Sequence, residues 1–321
     1  MTVYAAYGMR LSTDFPMALP EVGGRADVVI TRASDTREQP ELQNGAILLD
    51  YAEGDDHWYT VVRHADGSLI FRIFGLCDFD VDVTRTRVTL RLLAGQADGM
   101  ASIVTVGALS ALLSYLSGHG VLHASAVTRD GHTIGFIGRS GQGKSTLAAL
   151  LCTAGAELVT DDVLPVVGLD PVTVALGSSE VRLRPMAATL APGLDLDDAD
   201  RERASADRRR LVTFRKHGSP EECRRLRALF IPAPNRDNRL EMQRLSGRDA
   251  LLAVMSYPRL MGWREPAVLQ RQFAVAGALV KQVPVFVAHV PWGPPFQSDV
   301  ANAVWAAATD RAREPALVSG R

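Results

Sequence analysis

One eight-residue stretch constrains the chain more than any other, a glycine-rich segment that starts at Gly138 and reads Gly-Arg-Ser-Gly-Gln-Gly-Lys-Ser. It fits the pattern G-x-x-x-x-G-K-[ST] at every required position. Glycines let the backbone wrap so that several N–H groups point at one anion, and a helix that follows adds the positive end of its dipole. A strand-like apolar run precedes the stretch and a helical pattern follows it. The segment therefore predicts a phosphate-binding loop in an α/β fold.

The residues of this loop have distinct expected roles in binding a nucleoside triphosphate together with Mg²⁺. Lys144 is expected to reach the β- and γ-phosphates, and the Ser145 hydroxyl to ligate the metal. The chain has only three lysines among its 35 basic residues, so a lysine at this place does not reflect a lysine-rich composition. We expect nucleotide contacts along the whole loop and the start of the helix: Gly138, Arg139, Ser140, Gly141, Gln142, Gly143, Lys144, Ser145 and Thr146.

The composition excludes several other classes of protein. Apolar residues make up 47% and charged residues 22% of the 321 residues, and the net charge is −1, so neither a disordered chain nor a global basic field for nucleic acid or membrane is expected. The longest uncharged stretch, residues 99–128, contains too many serines, glycines and histidines for a membrane span. Three scattered cysteines and the lack of a signal-peptide pattern predict a cytoplasmic protein. The oligomeric state is left open.

The first third of the chain carries short strand patterns, and the rest alternates between strands and helices. The strand patterns are a β-branched run at Ala26–Thr31, two runs that flank an Asp66-Gly67 turn, and an alternating run at Val81–Leu93. The later patterns are a helix at Ala101–Leu116, strands at Val121–Val127 and Thr133–Ile137, a helix at Lys144–Ala154 and a strand at Glu157–Thr160. We predict a small β-rich region over residues 1–98 and an α/β domain over residues 99–321.

Two aspartates and a histidine stand at informative intervals from the loop lysine. Asp161 and Asp162 follow a short strand, 17 and 18 residues after Lys144, which is the length of one helix–strand unit. Such a unit places both carboxylates at the sheet edge where α/β proteins bind ligands. His123 precedes Lys144 by 21 residues, one hairpin away. A hydroxyl that attacks a γ-phosphorus needs a positioned carboxylate to accept its proton, and a histidine can orient that carboxylate, so the pattern favours phosphoryl transfer.

The chain lacks the signatures of other nucleotide-binding classes. It has no LSGGQ-like segment of an ABC-type ATPase, and the nearest string to the N-K-x-D motif of a GTPase, Asn235-Arg-Asp237, does not fit. Small-molecule kinases of the adenylate type usually carry the loop near the N-terminus, whereas 137 residues precede it here.

The segments Leu122-His-Ala-Ser-Ala-Val, the loop, and Thr160-Asp-Asp-Val together resemble the catalytic domain of HPr kinase/phosphorylase. They resemble still more the stand-alone HPr-kinase-like proteins, some of which phosphorylate a serine of lasso-peptide precursors. The resemblance is strong over residues 117–185 and diffuse to about residue 290. It implies a P-loop catalytic domain of the HPr-kinase/PEP-carboxykinase type. It also implies that Asp162 is the general base, that His123 is its partner and that Lys144 contacts phosphate.

A second segment, Glu180-Val-Arg-Leu-Arg-Pro, resembles the Glu-Ile-Arg-Gly segment of HPr kinase but lies several residues earlier and lacks the glycine. In that family the glutamate helps to hold magnesium and the arginine lies near the phosphates. The resemblance therefore implies that Glu180 ligates Mg²⁺ and that Arg182 contacts phosphate. Together with Ser145 and Asp161, Glu180 completes the candidate metal ligands.

The sequence leaves three functions open. The leading hypothesis is an ATP-dependent serine kinase that acts on a peptide or a small protein, such as a lasso-peptide precursor. The alternatives are a nucleotide-binding regulatory module with weak ATPase activity and a kinase of a small-molecule alcohol. A paired Asp162 and His123 favour transfer, because a switch needs no base for a hydroxyl. Residues 201–227 carry ten Arg or Lys against four acids and could contact nucleotide or an acidic peptide, or form a solvated face.

Overall fold

The computed structural model describes residues 1–97, 99–184, 187 and 222–309, and the backbone of residues 203–204 and 210–213. This part of the chain is mixed α/β, with two large mixed sheets and few helices. No helix in it combines the length and the apolar character that crossing a membrane requires. The side chains of most of the basic segment 201–227 lie outside the described residues.

The first sheet contains eight strands, all from the N-terminal third of the chain, in the order β1-β2-β3-β8-β7-β6-β5-β4. The β2–β3 and β3–β8 pairs are parallel and the other neighbours are antiparallel. The strands are β1 (Thr2–Ala6), β2 (Met9–Thr13), β3 (Val28–Arg32), β4 (Ala46–Glu53), β5 (Asp56–Arg63), β6 (Leu69–Ile73), β7 (Cys77–Val81) and β8 (Arg87–Leu92). The predicted β-rich character of this region and the hairpin across Asp66-Gly67 are confirmed.

The second sheet contains nine strands, seven of them in the order β12-β10-β11-β18-β14-β13-β9, with β20 joined to β18 and β19 joined to β20. The strands are β9 (Gly120–Leu122), β10 (Ala124–Arg129), β11 (His132–Ile137), β12 (Glu157–Thr160), β13 (Leu164–Leu169), β14 (Val172–Ala175), β18 (Cys223–Asn235), β19 (Glu241–Arg244) and β20 (Val285–Pro291). A small third sheet has the order β15-β17-β16 and contains β15 (Glu180–Leu183), β16 (Arg203–Ala204) and β17 (Arg210–Thr213).

The helices pack against both large sheets. They are α1 (Met100–Val104), a π-helical turn (Thr105–Leu109), α2 (Ser110–Leu116), α3 (Lys144–Thr153), α4 (Gly247–Met255), α5 (Pro266–Gln282) and α6 (Val300–Thr309). The first three are continuous and match the helix predicted over Ala101–Leu116, except for the π-helical turn in its middle. Such turns often occur at functional sites.

One hydrophobic core joins the first sheet to elements that follow it in the chain. Inner residues of the first sheet, such as Phe71 and Leu90, share this core with Leu112 of α2 and with Trp263 from the loop before α5. The turn between β1 and β2 also reaches the second half of the chain, because the buried Tyr7 donates its backbone N–H to the carbonyl of Leu176 at 2.6 Å. The first sheet is therefore covered on its inner face by later parts of the chain.

Two predicted strands differ from the structure. The alternating run Val81–Leu93 is not one strand, because residues 82–86 form a turn in which the Asp82 carboxylate accepts from the N–H groups of Thr86 and Arg87. The predicted strand Val121–Val127 is likewise divided at His123 into β9 and β10, which pair with different neighbours. The alternation of apolar and polar residues continues through a short turn, so the sequence pattern does not show where one strand ends and the next begins.

Candidate active site

The glycine-rich loop connects β11 to α3, as predicted. Gly141 and Gly143 have φ angles of +81° and +95°, a region that favours glycine. The Gln142 side chain fixes the loop, since its Oε1 accepts from the Arg139 N–H at 2.8 Å and its Nε2 donates to the carbonyl of Pro232 at 2.9 Å. The loop is thereby held to β18 in a curve that leads into the N-terminus of a ten-residue helix.

Lys144 lies inside this curve. Its side chain is buried, and its Nζ donates to the carbonyls of Gly138 at 2.9 Å and Arg139 at 3.0 Å. Burial of an ammonium group is costly unless it is hydrogen-bonded or paired with an anion. The position therefore suits a residue that meets a phosphate rather than one that packs in an apolar core.

The ends of three strands bring the predicted residues together. β11 and β12 both flank β10 and both run antiparallel to it, so the loop after β11 and the two aspartates after β12 lie at one edge of the sheet. β10 begins at that same edge, and His123 immediately precedes it. β10 lies between β11 and β12, so the strand before the loop and the strand before the aspartates are not direct neighbours, but both end at the predicted sheet edge.

Asp161 forms a buried oxygen cluster with two serines. Its Oδ1 accepts from the Ser145 hydroxyl at 2.8 Å and from the Ser125 hydroxyl at 2.5 Å, and its Oδ2 accepts from the Arg182 N–H at 3.2 Å. Asp161 is 4% exposed. Ser125 did not emerge from the sequence as a site residue, although it lies two residues after His123 in the segment that carries the resemblance.

Asp162 is surrounded by one histidine and two arginines. Its Oδ1 lies 3.2 Å from Nε2 of His123, and its Oδ2 accepts from the guanidinium groups of Arg259 at 2.8 Å and Arg182 at 3.2 Å. All four side chains are between 17% and 24% exposed, so they line an accessible site rather than a sealed core. The site contains three cationic side chains beside the two aspartates, those of Lys144, Arg182 and Arg259. This excess of positive charge favours the binding of a polyphosphate.

The pKa values of this pair are shifted in a consistent direction. Burial alone would raise the pKa of Asp162, but the charge of Arg259, the hydrogen bond with His123 and the charge of Arg182 hold it well below the usual range. Burial lowers the pKa of His123 below its ordinary value of 6.5, although Asp162 opposes this shift. At neutral pH the site therefore contains a carboxylate and a neutral imidazole.

Arg259 reaches the site from the loop between α4 and α5. Its backbone N–H donates to the carbonyl of Val121 at 2.9 Å, beside an isolated bridge that pairs Leu122 with Pro258. The π-helical turn lies against the ion pair, because a Cβ on Gly107 would come within 3.2 Å of Asp162 Oδ2 and 3.3 Å of Arg259 Nη2. Sequence reasoning missed Arg259, since no motif marks it and 97 residues separate it from Asp162.

Arg184 follows β15, and its side chain packs against the glycine-rich loop at Gly141. The sequence analysis assigns it no role. A Cβ built on Gly141 would be 2.9 Å from Nη2 and 3.4 Å from Cζ of Arg184, so the guanidinium occupies the space that a larger residue at position 141 would need. Arg184 is exposed at the outer surface of the loop. The exposed guanidinium can move away from a larger residue, so the φ angle of +81° is the main reason for glycine at position 141.

The sequence predicts that this loop binds MgATP. On that prediction, replacement of Arg184 by alanine is expected to raise the Kd for MgATP roughly 10-fold, because a charge-assisted hydrogen bond to phosphate contributes about 1.5–3 kcal/mol and this side chain is partly screened by solvent. Isothermal titration calorimetry measures the effect. Arg87→Ala, at a side chain that is 82% exposed on β8, provides the matched control and should leave the Kd unchanged. An unchanged Kd in Arg184→Ala would show that the arginine only covers the loop.

The predicted metal ligands Ser145, Asp161 and Glu180 come from three different parts of the fold. Ser145 and Asp161 are in contact, and Glu180 is buried at the start of β15. In the part of the chain with described side chains, no group of three or more His, Cys, Asp or Glu residues is placed to hold a metal ion, so Glu180 does not form such a group with Asp161 and Asp162.

No family model matches the chain, and no curated protein matches it.

Proposed function

We propose that this chain is an ATP-dependent serine kinase of the HPr-kinase-like type, with a P-loop catalytic fold, which transfers the γ-phosphoryl group to a serine of a peptide or small protein in the cytoplasm. The observation that carries the proposal is the hydrogen-bonding distance of 3.2 Å between His123 and Asp162 at the same sheet edge as the glycine-rich loop. A loop that only binds nucleotide needs no carboxylate–histidine pair beside it.

In the proposed reaction a serine hydroxyl attacks the γ-phosphorus of ATP. The new bond joins the serine oxygen to phosphorus, the bond between the γ-phosphorus and the β,γ-bridging oxygen breaks, and ADP leaves. Asp162 accepts the hydroxyl proton, while His123 orients the carboxylate through its Nε2. Lys144 and the loop N–H groups stabilise the charge on the phosphates.

Two arginines on Asp162 lower its basicity, and this matters for its role as a base. Phosphoryl transfer passes through a loose transition state in most analyses, so a strong base is not required. Phosphate oxygens would also compete with Asp162 for the guanidinium groups of Arg182 and Arg259. Transfer of these contacts to the nucleotide would raise the pKa of Asp162 and couple its activation to substrate binding.

The oxygen cluster around Asp161 fits a Mg²⁺ ion. One carboxylate and the hydroxyl of Ser145, with phosphate oxygens and water, are the hard oxygen ligands that this ion prefers, and a site with one or two protein carboxylates is usual for a nucleotide complex. When bound, Mg²⁺ would neutralise negative charge on the phosphates. Asp161 and Ser145 would hold it, and Ser125 would orient Asp161 through its hydrogen bond.

The two alternative functions differ from the proposal in what they require of the site. A regulatory module would hydrolyse ATP slowly and would not depend on the His123–Asp162 pair, whereas a small-molecule kinase would share the pair but prefer a free alcohol. Transfer of label from [γ-³²P]ATP to a library of serine peptides, compared with alanine versions and with a panel of simple alcohols, separates the three.

His123→Gln is expected to lower kcat for transfer by less than the roughly 10²- to 10⁴-fold effect of removing a base, with little change in MgATP affinity. In the wild-type enzyme kcat/KM should fall at acid pH with an apparent pKa below 6.5, because protonation of His123 removes the neutral partner of Asp162. This limb should be absent in the variant.

Protonation of His123 should also lower the stability of the folded protein at acid pH. Since the folded state lowers the pKa of His123, the wild type should lose stability as pH falls through 6.5, and the variant should lose less over that interval. His289→Gln, at a histidine on β20 without an assigned role, serves as the control. A variant with lower stability and full transfer activity would make His123 a packing residue and would exclude its role as the partner of Asp162.

A further inference from the structure

The outer edge of the first sheet is partly unpaired beside the candidate site. β4 is the last strand of this sheet, and the loop before α5 pairs with only part of it, through an antiparallel bridge between Leu49 and Trp263. Asp50 donates its N–H to the carbonyl of Gly262 at 3.0 Å, and Arg264 donates its N–H to the carbonyl of Leu48 at 2.7 Å. Among the described residues no strand continues this pairing past Asp50.

The pairing stops because the loop turns away at Gly262. This glycine has a φ of +82°, and a Cβ on it would lie 2.0 Å from the carbonyl oxygen of Asp50, so the close approach requires glycine. In the same antiparallel register the next hydrogen-bonding position on β4 is Ala52, and its counterpart would be Leu260, which is instead buried in the core. An extended peptide can add to such an edge through its main chain.

This edge is close to the reacting groups. Arg259, which contacts Asp162, precedes Gly262 by three residues, so at most about 11 Å of backbone separates it from the point where the loop meets β4. A peptide paired with β4 beyond Asp50 could therefore place a serine near Asp162 within a few residues.

The end of the hairpin that carries this edge is acidic and aromatic. Glu53 and Asp56 are paired directly opposite each other, and like charges at such positions destabilise a hairpin. Trp58 is 52% exposed, and the rings of Tyr51 and Tyr59 lie 5.3 Å apart between their centroids. A cationic side chain would relieve the repulsion between the two carboxylates and would also interact with the aromatic faces.

From these observations we propose that the outer edge of β4 beyond Asp50 is the docking surface for the phosphoacceptor, and that the acceptor segment is extended and carries arginine or lysine a few residues from its serine. The proposal rests on the kinase function proposed above, for which it names the class of substrate. The unpaired edge supplies main-chain hydrogen bonds, and the opposed Glu53 and Asp56 select a basic partner.

Direct binding tests the surface without relying on catalysis. The probes are two fluorescein-labelled extended peptides with a single serine, one with two arginines and one with two glutamates within five positions of it, and the readout is fluorescence anisotropy at low salt. The arginine peptide should bind more tightly to the wild-type protein. Asp56→Lys should weaken that binding roughly 3- to 10-fold and reduce the preference, and added salt should weaken it further.

The substitution should not impair folding, because it replaces a like-charge pair by a lysine opposite Glu53, so Tm should stay equal or rise slightly. The matched control is Glu21→Lys, at an exposed glutamate bridged to Tyr4 on the opposite edge strand, which should change neither peptide affinity nor preference. Equal affinity for both peptides, no binding of the arginine peptide, or an arginine preference that survives Asp56→Lys would overturn the proposal. Phosphoryl transfer from [γ-³²P]ATP to the serine-peptide library, measured separately with the wild type, tests the kinase function, so the failure of one proposal is distinguishable from the failure of the other.

Discussion

Replacement of Asp162 by asparagine is expected to lower the rate of phosphoryl transfer roughly 10²- to 10⁴-fold while MgATP binding is retained, because an amide cannot accept the hydroxyl proton. The position is suited to this substitution, since its φ of +72° lies in a region that asparagine tolerates. Single-turnover transfer from [γ-³²P]ATP measures the rate, and calorimetry measures the affinity. The loss of a charge between Arg182 and Arg259 should also lower Tm, which is recorded separately.

Asp130→Asn is the matched control for this variant. Asp130 also has a positive φ, +52°, but its side chain is 88% exposed in the turn between β10 and β11, so the same chemical change there should leave transfer unaffected. An equal loss of MgATP binding and transfer in Asp162→Asn would instead make Asp162 a magnesium ligand. The role of general base would then pass to Asp161.

Replacement of Lys144 by alanine is expected to abolish measurable turnover and to weaken nucleotide binding roughly 10- to 100-fold, because a buried charge-assisted contact to phosphate is lost. The fold should persist, since the Lys144 ammonium is held by the loop carbonyls of Gly138 and Arg139 rather than by packing in an apolar core. Calorimetric titration with MgATP and circular dichroism measure the two properties.

The control for this variant is Lys281→Ala, which removes an exposed lysine from the last turn of α5. It should behave as the wild type in both measurements. Transfer at nearly the wild-type rate in Lys144→Ala would show that the glycine-rich segment does not bind the phosphates that react.

The local part of the site could be predicted from the sequence. The glycine-rich loop and the start of α3 can be recognised from a few neighbouring residues. The glycines that permit the loop and the residues that begin the helix are close together in the sequence. The interval from Lys144 to Asp162 also restricts the chain to one helix and one short strand. One helix followed by one strand returns the chain to the same edge of the sheet as the loop. Both aspartates can therefore be placed at that edge even when the strand order is unknown.

The distant part of the site could not be predicted in this way. Arg259 approaches Asp162 only because the loop that carries it pairs with β9 and with β4, and neither pairing leaves a local pattern in the sequence. The break at His123 was missed for a related reason: β9 and β10 both contain apolar residues, so their different neighbours are decided by long-range pairing.

The core shared between the first sheet and later elements determines which pieces of this protein can be exchanged by recombination. A transplanted first sheet would need α1, the π-helical turn and α2 to cover its inner face, and it would need the loop that contains Trp263. That same loop carries Arg259 to Asp162. Recombination at residue 98 would therefore separate two packing surfaces that are complementary. A chimaera would keep Arg259 in contact with Asp162 only if it also kept the first sheet, because the loop that carries Arg259 packs against that sheet.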